Sequence, residues 1–137
     1  MSRELLGANN LTRGNDVAGR VRRADRPWSR MVGLLGRRSL AEGEGLLLAP
    51  CTSIHTFLMR FPIDILYLDR EDVVVKAVRA LRPFRFSACL RGGHSVLELA
   101  AGAIEASGTR VGDRLVLTPS GTHAASPTSP TSPSSAS

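Results

Sequence analysis

Cys51, His55 and Met59 stand at intervals of four within the run Cys51–Asp64. A thiolate, an imidazole and a thioether suit copper or zinc. Four-residue spacing keeps side chains on one side of a strand, and loosely on one face of a helix. On a straight strand, residues four apart are separated by about 13 Å. A single ion held by all three therefore requires a bend, a helix, or help from Cys89 or His94. Neither a CxxC nor an HExxH spacing occurs. The second chemistry available is thiol nucleophilic attack, with Cys51 or Cys89 activated by His55 or His94. No third, orienting group is identifiable, and Ser95 in Gly92-Gly93-His94-Ser95-Val96 lacks the G-x-S-x-G elbow. The plain alternative is that Cys51 and Met59 fill the core.

Two acids are more informative. Asp64 lies in Ile63-Asp64-Ile65-Leu66 and Glu98 in Val96-Leu97-Glu98-Leu99. An acid inside an apolar strand must be hydrogen-bonded, paired or protonated, or else face solvent. Strand periodicity puts Asp64 on the same face as Leu66 and Leu68, with Ile63 and Ile65 opposite. Asp64 is therefore expected to accept bonds from backbone N–H groups freed at the Phe61-Pro62 bend, or from an arginine such as Arg60.

The elements that must position these residues are mostly short strands. Gly19–Ala24 reads as a strand with a basic face. A helix is expected from Pro27 to Gly36, because proline suits a first helical turn and Trp28, Met31, Val32 and Leu35 recur at helical spacing. Residues 46–49, 54–59 and 63–68 read as strands, with Pro62 marking a bend. Asp69–Asp72 is a polar turn, and Val73–Val78 is a β-branched strand completing a hairpin. Residues 82–95 read as loop, 96–99 and 114–117 as strands, and Ala101–Ala106 as a short helix. Many short strands with little βαβ alternation predict an α+β fold.

The chain has 137 residues, 42% of them hydrophobic and 4% aromatic. That composition suits one globular domain with an aliphatic core, assigned to residues 1–118. Residues 119–137 are a Ser/Thr/Pro-rich tail without charge, expected to be disordered. No apolar run is long enough to span a bilayer, and residues 1–17 contain no apolar signal core. The expectations are a cytoplasmic protein with reduced thiols and no membrane partner. The net charge of +6 is unevenly placed: residues 1–38 carry nine arginines against Glu4, Asp16 and Asp25, whereas residues 39–137 balance. Only Trp28 accompanies those arginines, so residues 1–38 are expected to give at most weak, nonspecific, salt-labile contact with nucleic acid.

Taken together, the motifs resemble a known family. The set comprises Arg30-Met31-Val32-Gly33-Leu34-Leu35-Gly36-Arg37, then Gly43-Glu44-Gly45-Leu46, then Ile54–Asp69, Val96–Gly102 and Val111-Gly112-Asp113. In order and spacing it resembles the prokaryotic domain of unknown function family 192, from about residue 18 to 117. The resemblance implies one compact α+β domain. Its sheet would be curved, barrel-like and mostly antiparallel, with one helix in the N-terminal half and a short second helix. It assigns no activity and no cofactor. Recurring positions of the family match Gly33, Leu34, Gly45, Met59, Pro62, Asp64, Glu98, Gly102, Gly112 and Asp113. Leu35, Leu46 and Leu58 stand where many members carry methionine or an aromatic, changes that preserve volume and apolarity.

The resulting expectation is a non-catalytic binding or accessory module for a small molecule or a protein. Its small cleft would be bordered by His55, Met59, Asp64 and Glu98. A hydrolytic or thiol-dependent enzyme using that cleft is the rival class. A soft-metal protein using Cys51, His55 and Met59 is the third.

Overall fold

Pro62 interrupts the chain, and the apolar run Ile63–Leu68 follows it as a strand with all six residues buried. Such burial requires cover on both faces of the sheet. The computed structural model describes residues 5–24, 40–56 and 61–119. In chain order these form β1 (Leu5–Asn10), β2 (Asn15–Ala24), β3 (Glu44–Leu48), β4 (Ser53–His55), β5 (Ile63–Leu68), β6 (Val74–Leu81), β7 (Phe86–Ala88), β8 (Ser95–Ala100), a short helix α1 (Ala103–Ser107) and β9 (Leu115–Pro119). No helix among them is long and apolar enough to cross a membrane.

Seven strands make one sheet in the order β6-β5-β8-β3-β2-β1-β9, while β4 and β7 pair separately. Every pairing is antiparallel except β2 with β3. The sheet curls until its two edges meet at one end. Val73 bridges Arg114 there, the Val74 N–H donates to the Asp113 carbonyl at 2.8 Å, and the Leu115 N–H donates to Asp72 at 2.9 Å. The result is a half-barrel in a single domain.

The inner face buries Leu6, Ala8, Val21, Leu47, Leu66, Leu68, Leu97, Leu99 and Leu115, and Ile104 of α1 plugs it. The outer face of β3, β5 and β8 carries Leu46, Leu48, Ile63, Ile65, Tyr67 and Val96, packed with Ile54, Cys51 and Phe61. Alternation along β5 explains both sets: Ile63, Ile65 and Tyr67 face outward, while Asp64, Leu66 and Leu68 face inward.

The 63–78 hairpin, the strands of 46–49, 96–99 and 114–117 and the helix near 101–106 are present with shifted ends. Three differences stand out. Leu5–Asn10 is a full strand between β2 and β9, although its Gly, Ala and Asn residues have low strand preference. The expected loop 82–95 contains β7. The expected strand 54–59 is seen as β4 up to His55, and residues 57–60 lie outside the described set. The expected helix at 27–36 and residues 120–137 lie outside it as well. β9 extends to Pro119, where the tail is expected to begin.

Candidate functional site

A cleft of about 720 Å³ opens where β2, the turn before β3, the start of β5 and α1 converge. Asp16 and Gly19 border it from β2, Glu42 from the turn, Phe61 and Pro62 from the bend, and Gly102 and Ala106 from the helix region. Its walls are small, apolar or backbone, with Asp16, Glu42 and Ser107 supplying polar atoms. Asp16 accepts a bond from the Asn9 side chain.

The wall formed by α1 depends on Asp64. This residue is 1% exposed. One carboxylate oxygen accepts the Ala80 N–H at 2.8 Å. The other accepts the N–H groups of Gly102 at 3.1 Å and Ile104 at 2.9 Å. Gly102 stands at the helix N-cap with φ 99° and has no side chain to cap it; the strand acid fills that need from across the fold. Ala80, the donor from β6, itself sits at φ 48°. The sequence expectation that backbone N–H groups satisfy Asp64 matches these bonds. The donors, however, come from β6 and the α1 entry rather than from the Phe61-Pro62 bend.

Glu98 lies on β8 opposite Leu46 and Ile65, and is 6% exposed. It shares the outer face with Val96 and Ala100, the latter bordering the cleft. His55 ends β4, directly across from Phe86 in the register. Met59 lies outside the described residues, two positions before Phe61. Of the four expected cleft residues, the structure therefore sets Asp64 behind the cleft wall, Glu98 one strand pleat from its edge, and His55 on the separate two-stranded sheet.

Cys51 and Cys89 are free thiols. The Cys51 Sγ–H donates to the Ser53 carbonyl at 3.1 Å, and the Cys89 thiol reaches the Arg91 carbonyl at 3.5 Å. Among the described residues, no three His, Cys, Asp or Glu side chains are grouped to hold a metal. Burial raises the Tyr67 phenol above its ordinary pKa, partly offset by its 2.9 Å bond to Ser87, while nearby Cys51, Cys89 and Glu98 raise it further. Tyr67 and Ser87 are thus a satisfied buried pair.

A second buried acid organises the opposite end. Asp113 accepts bonds from Asn10 Nδ2 at 3.0 Å, Arg13 Nε at 2.6 Å and the Arg110 N–H at 3.0 Å. Burial alone would raise its pKa, but these donors and the Arg13 charge outweigh it and hold the carboxyl below its usual range. Asn10, the keystone partner, carried no signal in sequence; Asp113 was marked only by the family resemblance. Thr56, at 0% exposure, was likewise missed.

Comparison with known proteins places this geometry in a family. A UPF0127 protein of Pyrococcus furiosus is 34% identical over 109 residues, covering 77% of this chain and 93% of that relative. A UPF0127 protein of Thermococcus sibiricus is 33% identical over 110 residues, covering 77% of this chain and 71% of that one. Two crystal structures share the fold. One is a protein of unknown function from Novosphingobium aromaticivorans, with TM-score 0.70 and 19% identity over 82% of this chain and 83% of the other. The second, from Sinorhizobium meliloti, is described as a candidate transcription regulator; it has TM-score 0.73 and 24% identity over 85% of this chain and 94% of the other. The model of DUF192, described as Uncharacterized ACR, matches residues 9–117, and the chain belongs to that family.

Proposed function

We propose that this chain is a non-catalytic binding or accessory module whose ligand enters the cleft between β2, the Phe61-Pro62 bend and α1. The observation that carries this reading is the commitment of Asp64. Asp64, buried behind the α1 wall, gives both oxygens to backbone N–H groups, and the cavity it supports is walled mostly by small side chains and backbone, with Asp16 and Glu42 at its border. Such concave, mostly apolar sites with a few polar groups are the usual form of small-molecule sites. Asp64 is a positioning residue here: it sets the helix entry that forms one wall. Glu98, on the same face as Ala100, and Met59, just ahead of Phe61, belong to this proposal as flanking groups. His55 belongs to it as a more distant contributor. A cytoplasmic location is part of the same reading.

The test is a thermal-shift screen of the full chain against small molecules and metals, with mass spectrometry of anything that co-purifies. A compound that raises the melting temperature should lose its effect in Ala106→Trp, which fills the cleft from an exposed position. A shift that survives Ala106→Trp contradicts the assignment. Conversion of the compound to product favours the enzyme class instead.

A further inference from the structure

From Val73 to Leu97 the sequence holds no acid and five cations: Lys76, Arg79, Arg82, Arg85 and Arg91. All five are exposed. In the same stretch Phe84, Phe86 and Leu90 are 67%, 65% and 80% exposed. Strand alternation sets Phe86 and Ala88 on one face of β7 and Ser87 on the other, where it meets buried Tyr67. The strand is therefore inverted, with its aromatic side outward and its serine inward. Single exposed apolar residues need no explanation, but three large ones along seven residues do.

The turn that leads into β7 is built to stay fixed. Fully buried Thr56 holds it with its backbone and its hydroxyl. The Thr56 N–H donates to the Arg85 carbonyl at 2.9 Å, and the Phe84 N–H donates to the Thr56 carbonyl at 2.8 Å. The Thr56 hydroxyl donates to the Arg82 carbonyl at 2.6 Å and accepts the Arg85 N–H at 2.9 Å. Phe84 sits at φ 63°, a region that bulky side chains avoid. Backbone strain held by a buried clamp, around a ring left in solvent, is a pattern of binding sites. Lys76 Nζ donates to the Ala88 carbonyl at 2.7 Å, joining the cations of β6 to the same surface.

We propose that this face, centred on β7 and the Arg82–Phe86 turn, binds single-stranded nucleic acid. Bases would stack on Phe84 and Phe86, and phosphates would meet Arg82, Arg85 and Arg91. Charge complementarity selects a polyanion. The order Phe84-Arg85-Phe86 offers ring, cation, ring, as a single strand offers base, phosphate, base. Aromatic rings on a sheet face beside arginines form a sequence-tolerant platform for unstacked bases. A lipid surface would be met better by an unbroken apolar tip than by one with Arg85 between the rings. This site is separate from the cleft, and it departs from the expectation that any nucleic-acid contact is confined to residues 1–38.

The experiment is fluorescence anisotropy of the full chain with labelled oligothymidylate and oligouridylate of about 15 nucleotides, titrated across salt. Phe84→Ala with Phe86→Ala should weaken binding at least about tenfold and leave the salt slope intact. Arg82→Ala with Arg85→Ala should instead flatten the slope, by about one for each arginine lost. Phe84→Tyr with Phe86→Tyr should restore the affinity, and the melting temperature of the exposed-residue variants should match that of the parent. Three results would each overturn the proposal: no saturable binding, binding indifferent to both phenylalanines, or phenylalanine-dependent retention on phosphatidylglycerol vesicles without oligonucleotide binding.

Discussion

Asp64 answers a strand residue's problem with a helix's problem. A carboxylate sharing a face with Leu66 and Leu68 needs donors, and a helix entered through Gly102 needs an acceptor. Asp64→Asn keeps the shape but replaces one accepting oxygen with an N–H donor aimed at other N–H groups. We expect a loss of about 1–3 kcal/mol in urea unfolding; an unchanged midpoint would show that the three bonds contribute nothing net. The need for donors was legible, because period-two alternation sets the acid among leucines. Their identity was not, since Ala80, Gly102 and Ile104 are 16, 38 and 40 residues away. Phe84 is the converse case. Its left-handed backbone suits glycine, so Phe84→Gly should hold or raise the melting temperature, while removing one of the two exposed rings of that turn. A clear drop would mean that the ring packs in solution.

At the scale of elements, pairing outweighs propensity. The β5–β6 hairpin could be read from sequence because β-branched and aromatic residues flank a polar turn, where Asp69 accepts the Glu71 and Val73 N–H groups. β1 could not, because Leu5–Asn10 becomes a strand through its neighbours β2 and β9. β7 escaped because its apolar residues face the wrong way for a core strand. The antiparallel β3–β8 pair depends on close approach at Gly45, where an added Cβ would lie 3.0 Å from the Glu98 carbonyl and 3.2 Å from Leu99. Gly45→Ala should destabilise by about 1–3 kcal/mol, through displacement of β3 from β8. The β1–β2 turn is tied to the β9 entry through Asp113. With its folded pKa lowered, Asp113 contributes stability that is present above the ordinary carboxylate range and lost as pH falls through the folded value. Asp113→Asn should therefore melt below the parent at neutral pH, and the gap should narrow below about pH 4. A gap that stays constant with pH would assign the loss to packing.

For the whole molecule, the curled sheet, the family and the single domain were legible from motif order. The cleft was not. It is formed by residues such as Gly19, Gly102 and Ala106, whose lack of bulk makes room and leaves no chemical mark in sequence. Charge is distributed in two places, the arginine-rich residues 1–38 and the acid-free stretch around β7, and only the first was apparent from summed counts. Composition further predicts that deleting residues 120–137 leaves the melting temperature unchanged; a fall of several degrees would mean that the tail docks on the domain. The most direct test of cleft binding is a backbone-amide NMR titration of the full chain with the strongest thermal-shift hit. The expected result is saturable shifts clustered at Gly19, Gly43, Ala101, Gly102 and Ala106, with the compound recovered unchanged. Shifts confined to surfaces away from these residues, or recovery of a chemically altered compound, would contradict a non-catalytic binding cleft.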